Sequence, residues 1–314
     1  MTRVAIVYHP IYAKHITPLG HPESRERYLV VEKALRKEKL VFDWVLARSA
    51  TQEELLLCHS QEYINKVLEE TGVCVSIAEL STGDVTICSD SFEVASYAVG
   101  GVLTACDLVF TKRVQNAFCP TRPPGHHATE NRGMGFCIFN NVACGARYVQ
   151  KRYGVKRVLI VDWDVHHGNG TQDIFEQDSS VLYFSTHQKG LYPGTGDEKD
   201  RGSGSAVGTK VNHPILPGKK SREEVIHVFE KELALFLERY PPECIFISCG
   251  FDAHEHDPLG KFSLTTDDFG HLTALMVGYA KKYCEGRLIS VLEGGYNLEV
   301  LGECAARHVE MLAK

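Results

Sequence analysis

No two of the 11 cysteines in this 314-residue sequence are spaced as Cys-x-x-Cys. They are odd in number and scattered from Cys58 to Cys304, which argues against a disulfide framework and against a thiolate-ligated structural zinc. Such thiols fit buried groups in a reducing compartment, so the cytoplasm is the expected location, with the nucleus left open. No run of about 18 apolar residues occurs, so no membrane-spanning helix is expected. The apolar stretch in MTRVAIVYHP is too short for a secretory signal. Positive charge is nowhere concentrated: Lys219-Lys220 and Lys281-Lys282 are isolated pairs, and the net charge is -6. Direct nucleic-acid binding needs a clustered cationic footprint and is not expected. Repeats, low-complexity tracts and obvious linkers are also absent.

What is present is apolar material for a sizeable core, 44% of residues, with an ordinary 24% charged. Short apolar runs alternate with longer amphipathic ones. Strands are expected at Val4–Tyr8, Ala117–Cys119, Arg157–Asp162, Val181–Ser185, Cys244–Ser248 and Leu288–Leu292. Runs such as VLIVD and CIFIS are continuous and β-branched, as in strands covered on both faces. Helices are expected at Ser24–Lys37, Ser91–Phe110, Asn141–Tyr153, Ser221–Glu238, Thr266–Tyr283 and Leu298–Leu312. Ser221 with Glu224 resembles a capping box, and Thr266, Asp267 and Asp268 suit a helix start. The length suits one large α/β domain or two small ones, and the alternation predicts a mostly parallel sheet flanked by helices. Pro193 to Lys210 reads as a polar, Gly-rich surface connection.

Ligand sites in open parallel sheets lie beyond the carboxyl ends of the strands. In VLIVDWDVHHGNG, the residues Asp162, Asp164 and His166 recur at every second position and project to one side of an extended chain. An acid and an imidazole so placed suit a divalent metal, and zinc takes mixed nitrogen and oxygen ligands with a position left open for water. CIFISCGFDAHEHDPLG adds Asp252, completing a three-ligand site, with Gly250 allowing a tight turn. His254, Glu255 and His256 read as a polar loop, because an open catalytic zinc needs only three protein ligands. AFCPTRPPGHHATE presents His126 and His127 after a stiff turn, where an imidazole can take a proton from an activated water and return it to a leaving amine. LISVLEGGYN presents Tyr296, whose phenol suits an oxyanion. Alone, each has a plainer reading; four strand ends together do not.

HPESRER at 21–27, RPPGHHA at 122–128, GMGFCIFNN at 133–141, DWDVHHGNGTQ at 162–172, GFDAHEHDPLG at 250–260 and LEGGYN at 292–297 together resemble the zinc-dependent histone deacetylases, class II most closely. The resemblance implies a single α/β catalytic domain over residues 1–314 with the arginase/deacetylase fold, a mostly parallel sheet of about eight strands flanked by helices. It also implies one catalytic zinc on Asp164, His166 and Asp252, His127 as general base and acid, His126 as the group polarising the attacking water, and Tyr296 as oxyanion donor. Asp162 would buttress His126. Asn169 would sit near His127, where class I members commonly have Asp. Potassium would lie close to the zinc on Asp162, Ser185 and the carbonyls of Asp164, His166 and Thr186, with a second potassium near Phe175 and Val181. Phe136 would line the tunnel opposite Tyr192, where the family usually has Phe, and Asp84 would grip the substrate backbone at the rim.

The activity so implied is removal of acetate from N-ε-acetyl-lysine in proteins or peptides, with no direct nucleic-acid or membrane partner. A relative that prefers acetylated polyamines uses an acid at the tunnel mouth; here that position is Leu259. A small-molecule amidohydrolase remains the nearest alternative, since the acidic charge balance also steers cationic substrates. A dinuclear manganese hydrolase would need more carboxylates, and a silent acyl-lysine-binding module would not need His126, His127 and Tyr296. Counting metal per chain separates these last readings.

Overall fold

The computed structural model describes residues 3–38 and 41–314. Eight strands form one sheet: β1 (Val4–Tyr8), β2 (Asp43–Leu46), β5 (Asn116–Cys119), β6 (Val158–Asp162), β7 (Val181–Gln188), β8 (Lys210–Ile215), β9 (Cys244–Cys249) and β10 (Leu288–Leu292). Two-residue strands β3 (Ala78–Glu79) and β4 (Thr86–Ile87) make a separate ribbon. The order is β2-β1-β5-β10-β9-β6-β7-β8, and every pairing in it is parallel. This is the expected arginase/deacetylase-type α/β architecture. Neither strand of the ribbon was anticipated, and the two strands of the main sheet not anticipated, β2 and β8, are its edges. β2 is short and half-buried, and β8 contains Pro214, which an edge strand tolerates and a central one does not.

Alternate residues of the inner strands enter two different cores. Ala5, Val158, Ile160, Phe246, Ile289 and Val291 face one, while Ile6, Leu159, Val161, Ile245, Ile247 and Leu288 face the other. Both faces being covered is why the strand sequences are apolar without alternation. Helices α4 (Ser91–Phe110) and α5 (Asn141–Tyr153) cover the first face; α1 (Arg25–Lys37), α9 (Thr266–Tyr283) and α10 (Leu298–Leu312) cover the second. By length and composition α4 is apolar enough to cross a bilayer, contrary to the expectation that no helix would be. Its residues Val94, Ala95, Ala98, Val99, Val102 and Leu103 are instead buried core.

Short α2 (Gln52–Leu55) and longer α3 (Gln61–Gly72), not expected from the sequence, precede the ribbon. The segment read as one helix from Ser221 is α7 (Ser221–His227), a π-turn over Val228–Glu232, and α8 (Leu233–Arg239). Its supposed capping box is not formed: Lys220 is the N-cap, and Ser221 Oγ accepts the Ser263 amide. At α9 the cap is one residue earlier than read, with Thr265 and Asp268 making the reciprocal box. The Gly-rich Pro193–Lys210 segment is more than a surface connection. Thr195 Oγ1 and the Gly196 carbonyl engage His167 and His187 at 2.8 and 2.9 Å.

Candidate metal centre and catalytic site

β5, β10, β9 and β6 are consecutive neighbours in the sheet. Because they are parallel, their carboxyl ends leave the same edge, and the four segments that follow meet there. After β6 the chain does not continue extended, as the every-second-residue reading assumed. It turns, with Asp162 Oδ1 accepting the Asp164 amide at 3.2 Å and Asp164 Oδ1 accepting the His166 amide at 2.8 Å. That turn divides the two acids. Asp164 Oδ1 and Asp252 Oδ2 lie 3.0 and 3.1 Å from His166 Nδ1. Asp162 instead takes its Oδ2 to His126 Nδ1 at 3.0 Å and to the Tyr183 hydroxyl at 3.1 Å.

Asp164, His166 and Asp252 each offer a ligand atom within 4.8 Å of the others, and all three are buried. His254, Glu255 and His256 do not join them. Their carboxylates are aimed by backbone amides: Gly294 N–H donates to Asp164 Oδ2 and Val165 N–H to Asp252 Oδ1, both at 2.8 Å. Gly294 is glycine because a Cβ there would lie 2.0 Å from Asp252 Oδ2 and 2.6 Å from Asp164 Oδ2. Burial and the adjacent Asp164 charge push Asp252 up to about 7, while His126 and His166 hold Asp164 below the ordinary carboxylate range despite its burial. Two carboxylates and an imidazole crowded in a dry site suit a divalent cation, which favours both acids ionised. The donors therefore fit zinc of the open, three-ligand kind.

His126 and His127 are both buried, with ring centroids 4.1 Å apart, yet opposite in character. Burial disfavours charge on His126, but Asp162 and Asp164 outweigh it and raise the imidazole to about 10. His127 is driven well below its ordinary value by burial and then by the neighbouring His126 and His166. Its Nδ1 meets Asn169 Oδ1 at 2.9 Å. An Nδ1–H donated to that amide oxygen leaves Nε2 as the free acceptor. Gly125, read from sequence as conformationally unusual, serves close approach instead: a Cβ would come within 2.5 Å of the Asn141 amide.

Three supporting residues were not anticipated. Buried Glu293, directly after β10, accepts the Gly125 and His126 amides on Oε2 at 2.6 and 3.1 Å, tying the His-His turn to the neighbouring strand end. Burial pushes its ionisation up to about 7. Arg27 donates to the Gly295 carbonyl at 2.6 Å and to the Glu293 carbonyl, and its guanidinium lies 4.9 Å over the Tyr296 ring. Asp257 Oδ2 accepts the Tyr296 amide at 2.7 Å. An acid closing an apolar strand is the signal that found Asp162 and would have found Glu293; nothing local marks Arg27 or Asp257.

The proposed tunnel residues are also gathered here. Phe136 adopts φ 69, an uncommon conformation for a non-glycine residue. Its ring meets those of His21 and Tyr296 edge-on at 4.8 and 6.0 Å. Tyr192 stands edge-on to His127 at 5.1 Å, and its hydroxyl donates to Asp84 Oδ1 at 3.2 Å. Asp84 is exposed and also accepts the Gly135 amide at 3.0 Å. Leu259 is half-buried, on the same loop as Asp257.

The Histone deacetylase domain profile matches residues 21–312. This chain belongs to the histone deacetylase family. A probable deacetylase of Archaeoglobus fulgidus is 38% identical over 298 residues, 94% of this chain and 81% of that one. The polyamine deacetylase HDAC10 of Danio rerio is 37% identical over 94% of this chain, which spans 45% of that relative. The crystal structure of the HDA15 HD domain superposes with TM-score 0.91 at 34% identity, covering 98% of this chain and 90% of that one. As a histone deacetylase family member the chain is a hydrolase, a deacetylase, on the expected fold.

Potassium has two expected positions in such a chain. At the first, Asp162 pairs with Ser185 across β6 and β7, and the Ser185 hydroxyl meets His187 Nδ1 at 2.9 Å. The second does not fit: the Val181 carbonyl accepts the Lys210 ammonium at 2.8 Å.

Proposed function

We propose that this protein hydrolyses the acetamide of N-ε-acetyl-lysine in proteins or peptides, releasing acetate and lysine. The observation that carries the proposal is the buried Asp164–His166–Asp252 trio beside two imidazoles of opposite charge preference. A zinc ion held by that trio supplies Lewis-acid polarisation of the amide carbonyl and acidifies the attacking water.

Everything else is done by the chain. His127, neutral and free at Nε2, accepts a proton from the water as it attacks the carbonyl carbon. His126, its Nδ1 held by the Asp162 carboxylate at 3.0 Å, turns Nε2 to the same water and orients it. Tyr296, whose phenol is kept protonated chiefly by burial, donates to the developing oxyanion. His127 then delivers its proton to the leaving amine, so acetate and lysine leave and the imidazole returns to its starting state. Asn169, Asp162, Glu293 and Arg27 hold these groups in place. Monovalent cation bound by Asp162, Ser185 and the carbonyls of Asp164, His166 and Thr186 would stiffen the floor beneath them.

The aromatic edges of Phe136 and Tyr192 suit the uncharged stem of acetyl-lysine. Leu259 offers a cationic polyamine no carboxylate. Similarity to a polyamine deacetylase keeps acetylated polyamines as the second reading. Acetyl-lysine peptides are expected to exceed N8-acetylspermidine in kcat/KM by at least 10-fold, about 1.4 kcal/mol in transition-state binding. The reverse order would overturn the choice of substrate.

A further inference from the structure

Lys210 opens β8 and is fully buried. Its stem passes Gly202, where a Cβ would lie 3.2 Å from Lys210 Cγ. The ammonium ends among three oxygens: the Val181 carbonyl at 2.8 Å, the Asp178 carbonyl at 3.0 Å and Thr209 Oγ1 at 2.8 Å. An ammonium has three donors, so all three are used. None of the acceptors carries a formal charge. The Asp178 carboxylate is turned to Arg147 and to the amide and hydroxyl of Ser180.

A buried cation facing a ring of neutral carbonyl and hydroxyl oxygens is the environment in which proteins hold alkali-metal ions. The oxygens here converge because the turn after α6 (Asn169–Ile174) is knotted by local hydrogen bonds, from the Asp178 amide to Phe175 O at 3.0 Å and from Val181 to Asp178 O at 3.5 Å. The Tyr183 amide on Thr209 O at 3.0 Å brings the start of β8 against it. A free ion between these oxygens would contend for the space and lone pairs that Nζ already takes. Burial pulls the Lys210 ammonium down only to about 8, with Asp178 and Glu176 opposing the fall, so the group stays mostly charged at neutral pH.

We propose that the Lys210 ammonium is the resident cation of the Asp178–Val181–Thr209 oxygen cage, tethered through β8, and that no potassium ion binds there. Any dependence of this protein on alkali cations then lies elsewhere, and the turn between α6 and β7 keeps its cation at every salt composition.

Lys210→Ala removes the tether and leaves the cage. In zinc-loaded protein, thermal unfolding is compared in potassium chloride and in N-methyl-D-glucamine chloride of equal ionic strength. The variant is expected to unfold roughly 5–10 °C below wild type in the bulky cation and to recover at least half of that loss in potassium. Its potassium-dependent shift should therefore exceed that of the wild type by several degrees. Lys210→Met, which fills the cage without charge, should lose stability with no added potassium response. Equal potassium shifts in Lys210→Ala and wild type overturn the proposal. Thallium(I) soaked into wild-type crystals provides a check independent of folding of the variants. An anomalous peak beside the Val181 carbonyl overturns the proposal, and a featureless cage with Nζ in place supports it.

Discussion

Replacing Glu293 by alanine isolates a long-range tie in the site. The carboxylate accepts two buried amides, Gly125 at 2.6 Å and His126 at 3.1 Å, and the Ser248 hydroxyl at 3.3 Å. The hydroxyl can rotate to another acceptor; the two amides cannot. A buried donor left unsatisfied costs about 1–3 kcal/mol, so two cost roughly 2–6 kcal/mol. Part of this is offset, because a carboxyl pushed up to about 7 by burial is itself an unfavourable occupant of its site. A net loss of roughly 2–4 kcal/mol follows, or about 5–10 °C in unfolding midpoint for a chain of this size. Glu293→Gln keeps an oxygen on the amides and turns its NH2 to Ser248, so it should stay within about 1 kcal/mol of wild type. Urea unfolding of the zinc-loaded proteins measures both. Turnover should fall in the alanine variant more than in the glutamine variant, because His126 and His127 ride on the loosened turn. If alanine costs under about 0.5 kcal/mol, or if glutamine costs as much as alanine, the reasoning about stranded amides is wrong.

Three further outcomes are expected. Tyr296→Phe should lose roughly 10²–10³ in kcat with zinc content by mass spectrometry unchanged; near-normal turnover would remove the oxyanion role. Asn169→Asp places a carboxylate on His127 Nδ1, which favours the imidazolium, so the acid limb of the kcat/KM profile should move up by about one pH unit; an unmoved limb would mean that His127 is not the base. His308 is buried between Thr273 and Ser290, and burial depresses its imidazole to about 3. Its contribution to stability is full above about 6.5, the ordinary histidine value, and drains away as pH falls toward about 3. Over pH 6 to 4.5, His308→Gln should therefore lose about 1 kcal/mol per pH unit less than wild type, and parallel stability curves would refute the assignment.

Much of the candidate site was legible because parallel sheets gather function at strand ends. DWDVHHG, GFDAH and LEGGY each follow an apolar run directly, PPGHH follows one after Pro120-Thr121-Arg122, and each segment reaches the same edge. The inner strands were legible for a related reason: burial on two faces leaves a continuous apolar signature. The edges were not. DWVL is too short and too half-buried to stand out, and KVNHPI carries a proline, a histidine and an asparagine. Helix α3 escaped because its QEYINKVLEETG face buries only Tyr63, Ile64, Val67 and Thr71.

By itself the sequence determined the chemical inventory and the edge of the sheet on which it would lie, since strand runs, turns and the residues just past them are local. It did not determine the wiring. Asp162 turns away from Asp164 to His126; Glu293 reaches across to the turn before His127; Arg27 clamps a loop 266 and 268 residues further along the chain; Lys210 takes the oxygens where an alkali ion was expected. Each is a directional hydrogen bond between groups that only strand order and helix packing bring within 3 Å or so of each other. Periodicity reports which face a residue lies on, not which distant partner will meet it there, and so the partners were decided only by the tertiary structure.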